Sequence, residues 1–271
     1  MTGPRVGGRL LGSRSLAVVA LLLAIAFVVA PFWLTGRGIP GEAALSRWAG
    51  DDFVAFWRAG DLTRAAGMSD LVDYWMRFHI VKAVAAGLLV VVLAVLATRM
   101  WRSFVDGTVT VRRRRFAGVA GTVAAAGGLG AVFLLMANVQ GAIAPLSSAL
   151  SLVPMSGRDP ALRQVRGQVA QQLQAGDTSR SALARMIDDF GTYHAVLAVC
   201  AVVVACAAAV LAVIAARSFL VTARTDRSGR RATVLVGAVF GLVGVGVAIL
   251  AVANIGNAAD PAHALLLFYT G

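Results

Sequence analysis

Residues 195–216 read AVLAVCAVVVACAAAVLAVIAA, a run without a single charged side chain. A helix of this length, rising 1.5 Å per residue, crosses the roughly 30 Å hydrocarbon core of a bilayer. Four similar runs lie at residues 15–34, 80–98, 116–137 and 232–253, and each holds at most one charged side chain. The sequence therefore predicts an all-α integral membrane protein with five transmembrane helices.

The composition excludes most other classes of protein. Of 271 residues, 59% are hydrophobic and only 14% are charged. A soluble domain this apolar would expose large apolar patches, so a soluble enzyme is excluded. Two cysteines cannot build a disulfide framework in a chain of this length. The chain also lacks the P-loop, HExxH, CxxC and GxSxG patterns, and we predict neither an enzymatic activity nor a bound metal or other cofactor.

The basic residues indicate the direction of the spans. The segments before span one, between spans two and three, and between spans four and five hold 3, 6 and 5 basic residues against two acidic ones, Asp106 and Asp226. Loops rich in Lys and Arg stay in the cytoplasm. This pattern predicts a plasma-membrane protein with a cytoplasmic N-terminus and an external C-terminus. The run Arg112–Arg115 fits contact with lipid headgroups better than nucleic-acid binding, because it directly adjoins a span.

Two stretches of the chain are similar to each other. AGDLTR at residues 59–64 returns as AGDTSR at 175–180, an offset of 116. Polar landmarks follow in unbroken order: His79 pairs with His194, Asn138 with Asn254 and Pro145 with Pro261. The order indicates an internal duplication. Both copies begin on the same side of the membrane, so the repeats are parallel and related by an axis along the membrane normal.

The duplication sets the predicted domain boundaries. Residues 1–58 hold the first span and part of an outer loop, 59–154 form repeat 1, 155–174 an amphipathic outer linker helix and 175–271 repeat 2. Each repeat contains an outer helix, an inward span, a basic turn, a glycine-rich outward span and an outer segment. We expect the outer segments to form a small extracytoplasmic helical cap. The linker helix carries an apolar stripe that suits a position on this cap or on the membrane surface, namely Leu162, Val165, Val169 and Leu173.

Glycines distinguish the two outward spans. Gly237 and Gly241 have the GxxxG spacing that lets transmembrane helices approach closely. We therefore expect these two spans at the centre of the bundle. The alternative is a narrow conduit lined by exposed backbone.

His79 and His194 are the first candidate ligand-binding residues, because they occupy equivalent outer entries of the inward spans. Two imidazoles at matching depth could hold a haem, whereas a histidine beside an aromatic residue at the interface commonly acts as an anchor. Asp73 and Asp189 precede these histidines and could orient the imidazoles. We favour solvated helix faces and helix N-terminal charge compensation as the explanation of these carboxylates and of the neighbouring Asp188.

Asn138 and Asn254 complete the set of candidate residues. Each closes a glycine-rich span, where an asparagine can end a helix in the left-handed conformation. With Gln140 and Asn257 they could instead form a ring of neutral amides that binds a small polar solute.

The stretch Met136–Pro145, MANVQGAIAP, loosely resembles uncharacterised multi-pass membrane proteins of actinobacteria. The resemblance implies a plasma-membrane location and no particular activity.

Three functions follow as expectations. The first is a non-enzymatic subunit that presents its outer cap to a membrane-protein partner or to further copies of itself. The second is a transporter or channel for a small solute or ion along the pseudo-twofold axis. The third is a haem-binding electron carrier that uses His79 and His194.

Overall fold

The structure, a computed structural model, describes residues 12–36, 42–105, 110–154, 159–222 and 227–270. These ranges are helical and contain no strand. Arg5, Arg9, Asp106, Arg224 and Asp226, which enter the charge argument, lie outside them. The helices are α1 (Ser13–Leu34), α2 (Glu42–Ala59), α3 (Ala66–Val105), α4 (Val111–Ile143), α5 (Pro145–Leu150), α6 (Pro160–Gln174), α7 (Ser181–Val221), α8 (Arg227–Ala259) and α9 (Pro261–Thr270).

Five of these helices, α1, α3, α4, α7 and α8, are long and apolar enough to cross a membrane. They coincide with the five predicted runs, which confirms this part of the sequence prediction. Helices α3 and α7 contain 40 and 41 residues, twice the length that a crossing needs. α3 contains Leu71, Trp75 and Phe78 as well as predicted span two, so the two predicted segments form one continuous helix.

The chain divides into two compact units. The smaller unit comprises Met1–Pro31 and Val81–Leu135, and the larger comprises Phe32–Ile80 and Met136–Gly271. In the smaller unit, Ala20, Leu89 and Ala131 form a buried cluster of modest size. A Cβ on Gly118 would lie 3.0 Å from the Phe104 ring, so the glycine permits the close approach of α3 and α4.

The larger unit has an aromatic core outside the predicted spans. α2 contributes its fully buried side chains Phe53, Phe56 and Trp57. The stripe of α6 predicted from the sequence is buried in this same core, so α6 packs on protein. Other members come from α3, α5, α7 and α9: Met68, Leu71, Leu146, Leu150, Leu183, Met186 and Leu265.

Prolines separate each outward span from the helix that follows it. α4 ends at Ile143 and α5 begins at Pro145, and α8 ends at Ala259 with α9 beginning at Pro261. A proline inside a helix kinks or breaks it, because proline lacks the N–H and its ring clashes with the preceding turn. These two breaks return the chain to the core of the larger unit.

Low burial of α8 gives no support to the prediction that α4 and α8 lie at the centre of the bundle. Only 11% of its most apolar window is buried, the smallest share among the five candidate spans. α8 packs along α7 through Gly237 against Ala215 and Gly244 against Ala208, a spacing of seven residues. Gly241 has no neighbouring atom within 4 Å of its Cβ position, so the GxxxG pair does not form a contact face.

Candidate functional site

The two predicted histidines make the same hydrogen bond in the two halves of the chain. His79 Nδ1 lies 2.9 Å from Asn138 Oδ1, and His194 Nδ1 lies 2.7 Å from Asn254 Oδ1. An amide oxygen only accepts, so Nδ1 carries the proton and donates in both pairs. Each pair joins α3 or α7 to the long helix that follows it, α4 or α8. The sequence singled out all four residues but did not predict that they pair.

The first histidine belongs to a longer chain of polar contacts. Ser148 Oγ lies 3.0 Å from His79 Nε2 and accepts a hydrogen bond from Trp75 Nε1, also at 3.0 Å. With the proton on Nδ1, Nε2 accepts, so Ser148 donates to it. Donors and acceptors therefore follow one direction from Trp75 through Ser148 and His79 to Asn138. Asn138 and Ser148 are buried, so each needs a hydrogen-bond partner within the protein, and this chain provides it.

Packing holds the His79 ring in place. A Cβ added to Gly141 would come within 2.7 Å of Cδ2 and Nε2 of this ring, so the ring lies directly on the backbone of α4. Trp75 meets the ring edge-on, with the centroids 5.1 Å apart. Only glycine at position 141 leaves room for this arrangement.

The second histidine has fewer polar partners. The position equivalent to Ser148 at the offset of 116 is Ala264, which has no hydroxyl. Within the described part of the chain, Nε2 of His194 has no hydrogen-bond partner. Aromatic rings surround the imidazole instead, with centroids 4.7 Å away for Phe190 and 5.5 Å away for Tyr193. The two sites therefore share the His–Asn pair and the edge-on aromatic rings one and four positions before the histidine, and they differ in the hydroxyl at Nε2.

The two asparagines do not cap helices, and this prediction is wrong. α4 continues to Ile143 and α8 to Ala259, and no non-glycine residue among those described has a positive φ. The glycines that follow the asparagines are accommodated inside the helices, which end only at Pro145 and Pro261. Asn254 uses its Nδ2 to donate to Leu250 O at 2.8 Å.

The proposed amide ring is not open to a solute at Gln140. This side chain is buried, and its Nε2 donates to the carbonyl oxygen of Tyr193 at 3.1 Å. Asn138 and Asn254 are buried as well and accept from their histidines. These amides serve contacts between helices of the larger unit.

Asp73 and Asp189 do not contact the histidines through any hydrogen bond that we observe. Asp73 is exposed, as is Asp188, in agreement with the solvated interpretation. Asp189 is buried, and its Oδ2 accepts from the backbone N–H of Ser147 at 2.8 Å. Arg185 lies 4.0 Å from its other oxygen. Asp189 therefore binds the start of α5, and the solvated interpretation is wrong for this residue.

The repeated AGD segments adopt the same turn. Gly60 and Gly176 have φ values of 79° and 67°, a region that favours glycine. Asp61 accepts from Thr63 N and Oγ1, and Asp177 accepts from Ser179 N and Oγ. The backbone N–H of Thr63, followed by its hydroxyl, lowers the pKa of Asp61. The hydroxyl of Ser179, followed by its N–H, lowers the pKa of Asp177.

No metal-binding group of three or more His, Cys, Asp or Glu side chains occurs among the described residues. For a haem ligated by two histidines, His79 fits poorly, because both of its ring nitrogens already lie within hydrogen-bond distance of Asn138 or Ser148. A bond from iron to Nε2 would require Ser148 to move. His194 offers Nε2 without such a conflict.

Sequence reasoning missed Ser148, Trp75 and Gly141 as members of this site. Ser148 is separated from Asn138 by the break at Pro145, so helical periodicity does not connect them. Gly141 lies three positions after Asn138, on the same face of α4, and that spacing was an available signal.

Comparison with known proteins adds no further assignment. No protein-family model, no curated protein and no solved structure matches the chain.

Proposed function

We propose that the chain is a plasma-membrane protein with a cytoplasmic N-terminus and five crossings, whose outer cap serves as a rigid platform for assembly with another membrane protein. In this proposal the protein is not an enzyme. The single observation that carries it is the position of the aromatic core. The largest fully buried side chains, Trp57, Phe53 and Phe56, lie in α2, outside all five apolar runs.

An internal duplication is part of this proposal, and the helix bounds support it. α4 and α8 end at residues 143 and 259, an offset of 116. α5 and α9 begin at Pro145 and Pro261, again 116 positions apart. Helices of unrelated origin have no reason to keep one offset at both the end of the long helix and the start of the helix that follows it.

Equivalent side-chain contacts support the duplication independently. Both repeats contain the His–Asn pair and the AGD turn. Both also place an arginine over a phenylalanine ring at the basic turn: Arg114 lies 5.3 Å from the Phe104 centroid, and Arg230 lies 3.8 Å from that of Phe219. Polar contacts of this kind are not produced by apolar composition alone.

The equivalence extends upstream of the AGD segment. Ala49, Phe53 and Trp57 of α2 are all buried, and the positions 116 further along are Val165, Val169 and Leu173, the buried stripe of α6. Trp57 Nε1 donates to Gln168 Oε1 at 2.8 Å, so the two helices contact each other. We therefore assign α2 to repeat 1 and α6 to repeat 2, and the proposed linker helix becomes the first helix of its repeat.

The buried polar groups favour a structural cap over a solute site. Asn138, Gln140, Ser148 and Asp189 all bond to other groups of the larger unit. Groups that bind a solute in transit must instead be available to it. A platform requires such internal satisfaction, because each unpaired buried group would cost about 1–3 kcal/mol and soften the surface.

Purification from native membranes in a mild detergent tests the assembly role. A photoreactive residue at exposed Trp48 of α2 should yield one adduct of fixed mass and stoichiometry, and one at exposed Val203 of α7 should yield none. Solute flux through liposomes, lost in an Asn138→Leu variant that still folds, would contradict the proposal in favour of a transporter. A Soret band lost in His194→Ala would contradict it in favour of an electron carrier.

A further inference from the structure

An open groove runs along the exposed side of α3 where this helix approaches the basic turn. It lies in the smaller unit and is lined by Ala94, Val95, Thr98, Arg99 and Arg102. The positions recur at helical spacing, so one face of α3 supplies the whole groove. From residue 94 to residue 102 this face extends about 12 Å along the helix axis.

The chemistry of the groove changes along its length. The apolar end of the groove lies within the apolar run of span two and is formed by the methyl groups of Ala94 and Val95. The basic end of the groove, nearest the basic turn, carries the guanidinium groups of Arg99 and Arg102, which are three positions apart. The Thr98 hydroxyl lies between the two ends and donates to Ala94 O at 2.8 Å, which leaves its lone pairs available.

The surrounding residues indicate that the basic end of the groove lies at the level of the lipid headgroups. Trp101 and Phe116 are exposed large aromatic residues on either side of the basic turn, a position typical of a membrane interface. Arg112, Arg113 and Arg115 at the start of α4 are exposed too. An occupant of the groove therefore meets hydrocarbon at one end and a concentration of positive charge at the other.

We propose that this groove binds one anionic phospholipid, such as phosphatidylglycerol, with its phosphate between Arg99 and Arg102 and an acyl chain along Ala94 and Val95. Charge complementarity selects the occupant: arginines recognise phosphate oxygens through their planar array of donors, and the net negative charge of the lipid matches the basic turn. The inference is independent of the assembly role and shares with it the membrane location and, for its control, the proposed internal duplication.

The second repeat contains a natural control. At the offset of 115 that joins His79 to His194, the groove residues correspond to Ala209, Val210, Val213, Ile214 and Arg217. Val213 and Ile214 are exposed on α7. The corresponding face of α3, which lines the groove, is exposed as well. The apolar part and one arginine are retained, while the hydroxyl and the second arginine are replaced by aliphatic side chains. We therefore expect the lipid in repeat 1 and not at the equivalent face of repeat 2.

Native mass spectrometry of the delipidated full-length protein tests the proposal. The detergent solution would contain equal amounts of phosphatidylglycerol and phosphatidylcholine with identical acyl chains. We expect one phosphatidylglycerol molecule to bind about 25-fold more tightly than phosphatidylcholine, since two arginines each contribute about fivefold. Glycerol phosphate at the same concentration should not compete, because it lacks the acyl chain.

Matched variants locate the site. Exchanging Thr98→Val together with Arg99→Ile copies repeat 2 and should lower the preference about fivefold, because only Arg102 remains, whereas Arg217→Gln should leave it unchanged. The reciprocal exchange, Val213→Thr with Ile214→Arg, should add a second bound phosphatidylglycerol, which tests the site even if the first variant fails to fold. Equal retention of the two lipids, an unchanged preference in the first variant, no added lipid in the reciprocal one, or full competition by glycerol phosphate would each overturn the proposal.

Discussion

Asp189 of α7 accepts a hydrogen bond from the backbone N–H of Ser147, at the start of α5 and 42 positions earlier in the chain, at 2.8 Å. The residue before α5, Ala144, provides no side-chain cap. At the offset of 116 it corresponds to Asp260, which accepts from the backbone N–H of His263 at the start of α9. The carboxylate at the start of α5 therefore comes from Asp189 of α7, whereas the carboxylate at the start of α9 comes from Asp260, the residue directly before that helix.

The contact predicts that Asp189→Ala destabilises the protein. The substitution leaves a buried N–H at the start of α5 without its acceptor, which should cost about 1–3 kcal/mol. Asp188→Ala is the control, because Asp188 is the adjacent carboxylate and its side chain is 75% exposed. Thermal unfolding in detergent should show a clear loss for the first variant and almost none for the second. Equal melting temperatures would show that the contact does not stabilise the cap.

The close packing of His79 on Gly141 predicts a sharp difference between two glycines. Gly141→Ala places a methyl group within 2.7 Å of the imidazole, so the ring must move and the protein should lose about 1–3 kcal/mol. Gly256→Ala in α8 meets open space and should cause no loss, since alanine favours a helix. Urea or thermal unfolding of both variants measures the difference, and similar losses for both would contradict the placement of the ring.

The polar chain through His79 predicts that Ser148→Ala is destabilising. Removal of the hydroxyl takes the acceptor from Trp75 Nε1 and the donor from His79 Nε2, at a cost of about 1–3 kcal/mol. Trp75→Phe should cost less in the Ser148→Ala background than in the wild type, because the hydrogen bond between the two residues is already absent there. Strict additivity in this double-mutant cycle would exclude the coupling.

Ala264→Ser provides the complementary experiment in repeat 2. If the two halves share one geometry, the new hydroxyl reaches His194 Nε2 and the variant folds with unchanged or increased stability. A large loss of stability would mean that position 264 is not equivalent to position 148, and it would weaken the proposed duplication.

The two AGD turns predict a dependence on acid pH. Hydrogen bonds lower the pKa of Asp61 and Asp177 in the folded protein, so their stabilisation is complete above the ordinary value of 3.8 and is lost as the pH falls through the lowered values. The double variant Asp61→Asn with Asp177→Asn should melt below the wild type at pH 7, and the difference should shrink at pH 3. Asp51→Asn, an exposed change in α2, serves as the control. A difference that grows on acidification would contradict the sign of both shifts.

The sequence predicts those features that depend on local composition. In lipid, the backbone N–H and C=O groups of a run such as residues 195–216 can find hydrogen-bond partners within the run only if it forms a helix. The five long helices therefore follow from composition and length. The stripe of α6 follows from its periodicity. The His–Asn pairs, the Asp189 contact and the Ser148 chain depend on residues 42–73 positions apart, where no periodic signal exists. Asn138 was misassigned as a cap because its neighbouring glycine suggested a helix end, while the actual end is set by Pro145.

Glycine content was the least reliable guide. It permits a close approach but does not specify the partner, and on α8 only Gly237 and Gly244 face α7. The exposure of the remaining face is consistent with contact to lipid, which drives no association by itself.

The most direct test of the proposed arrangement is single-cysteine labelling in intact cells. In a background carrying Cys200→Ala and Cys206→Ala, one cysteine is placed at Asp61 or Asp177 in the AGD turns, or at Arg115 or Arg231 in the basic turns; all four positions are exposed, and each pair is related by the offset of 116. A membrane-impermeant maleimide should label positions 61 and 177 in intact cells, and positions 115 and 231 only after the membrane is permeabilised. Labelling of 115 or 231 in intact cells, or different sidedness within either pair, would contradict the parallel five-span arrangement.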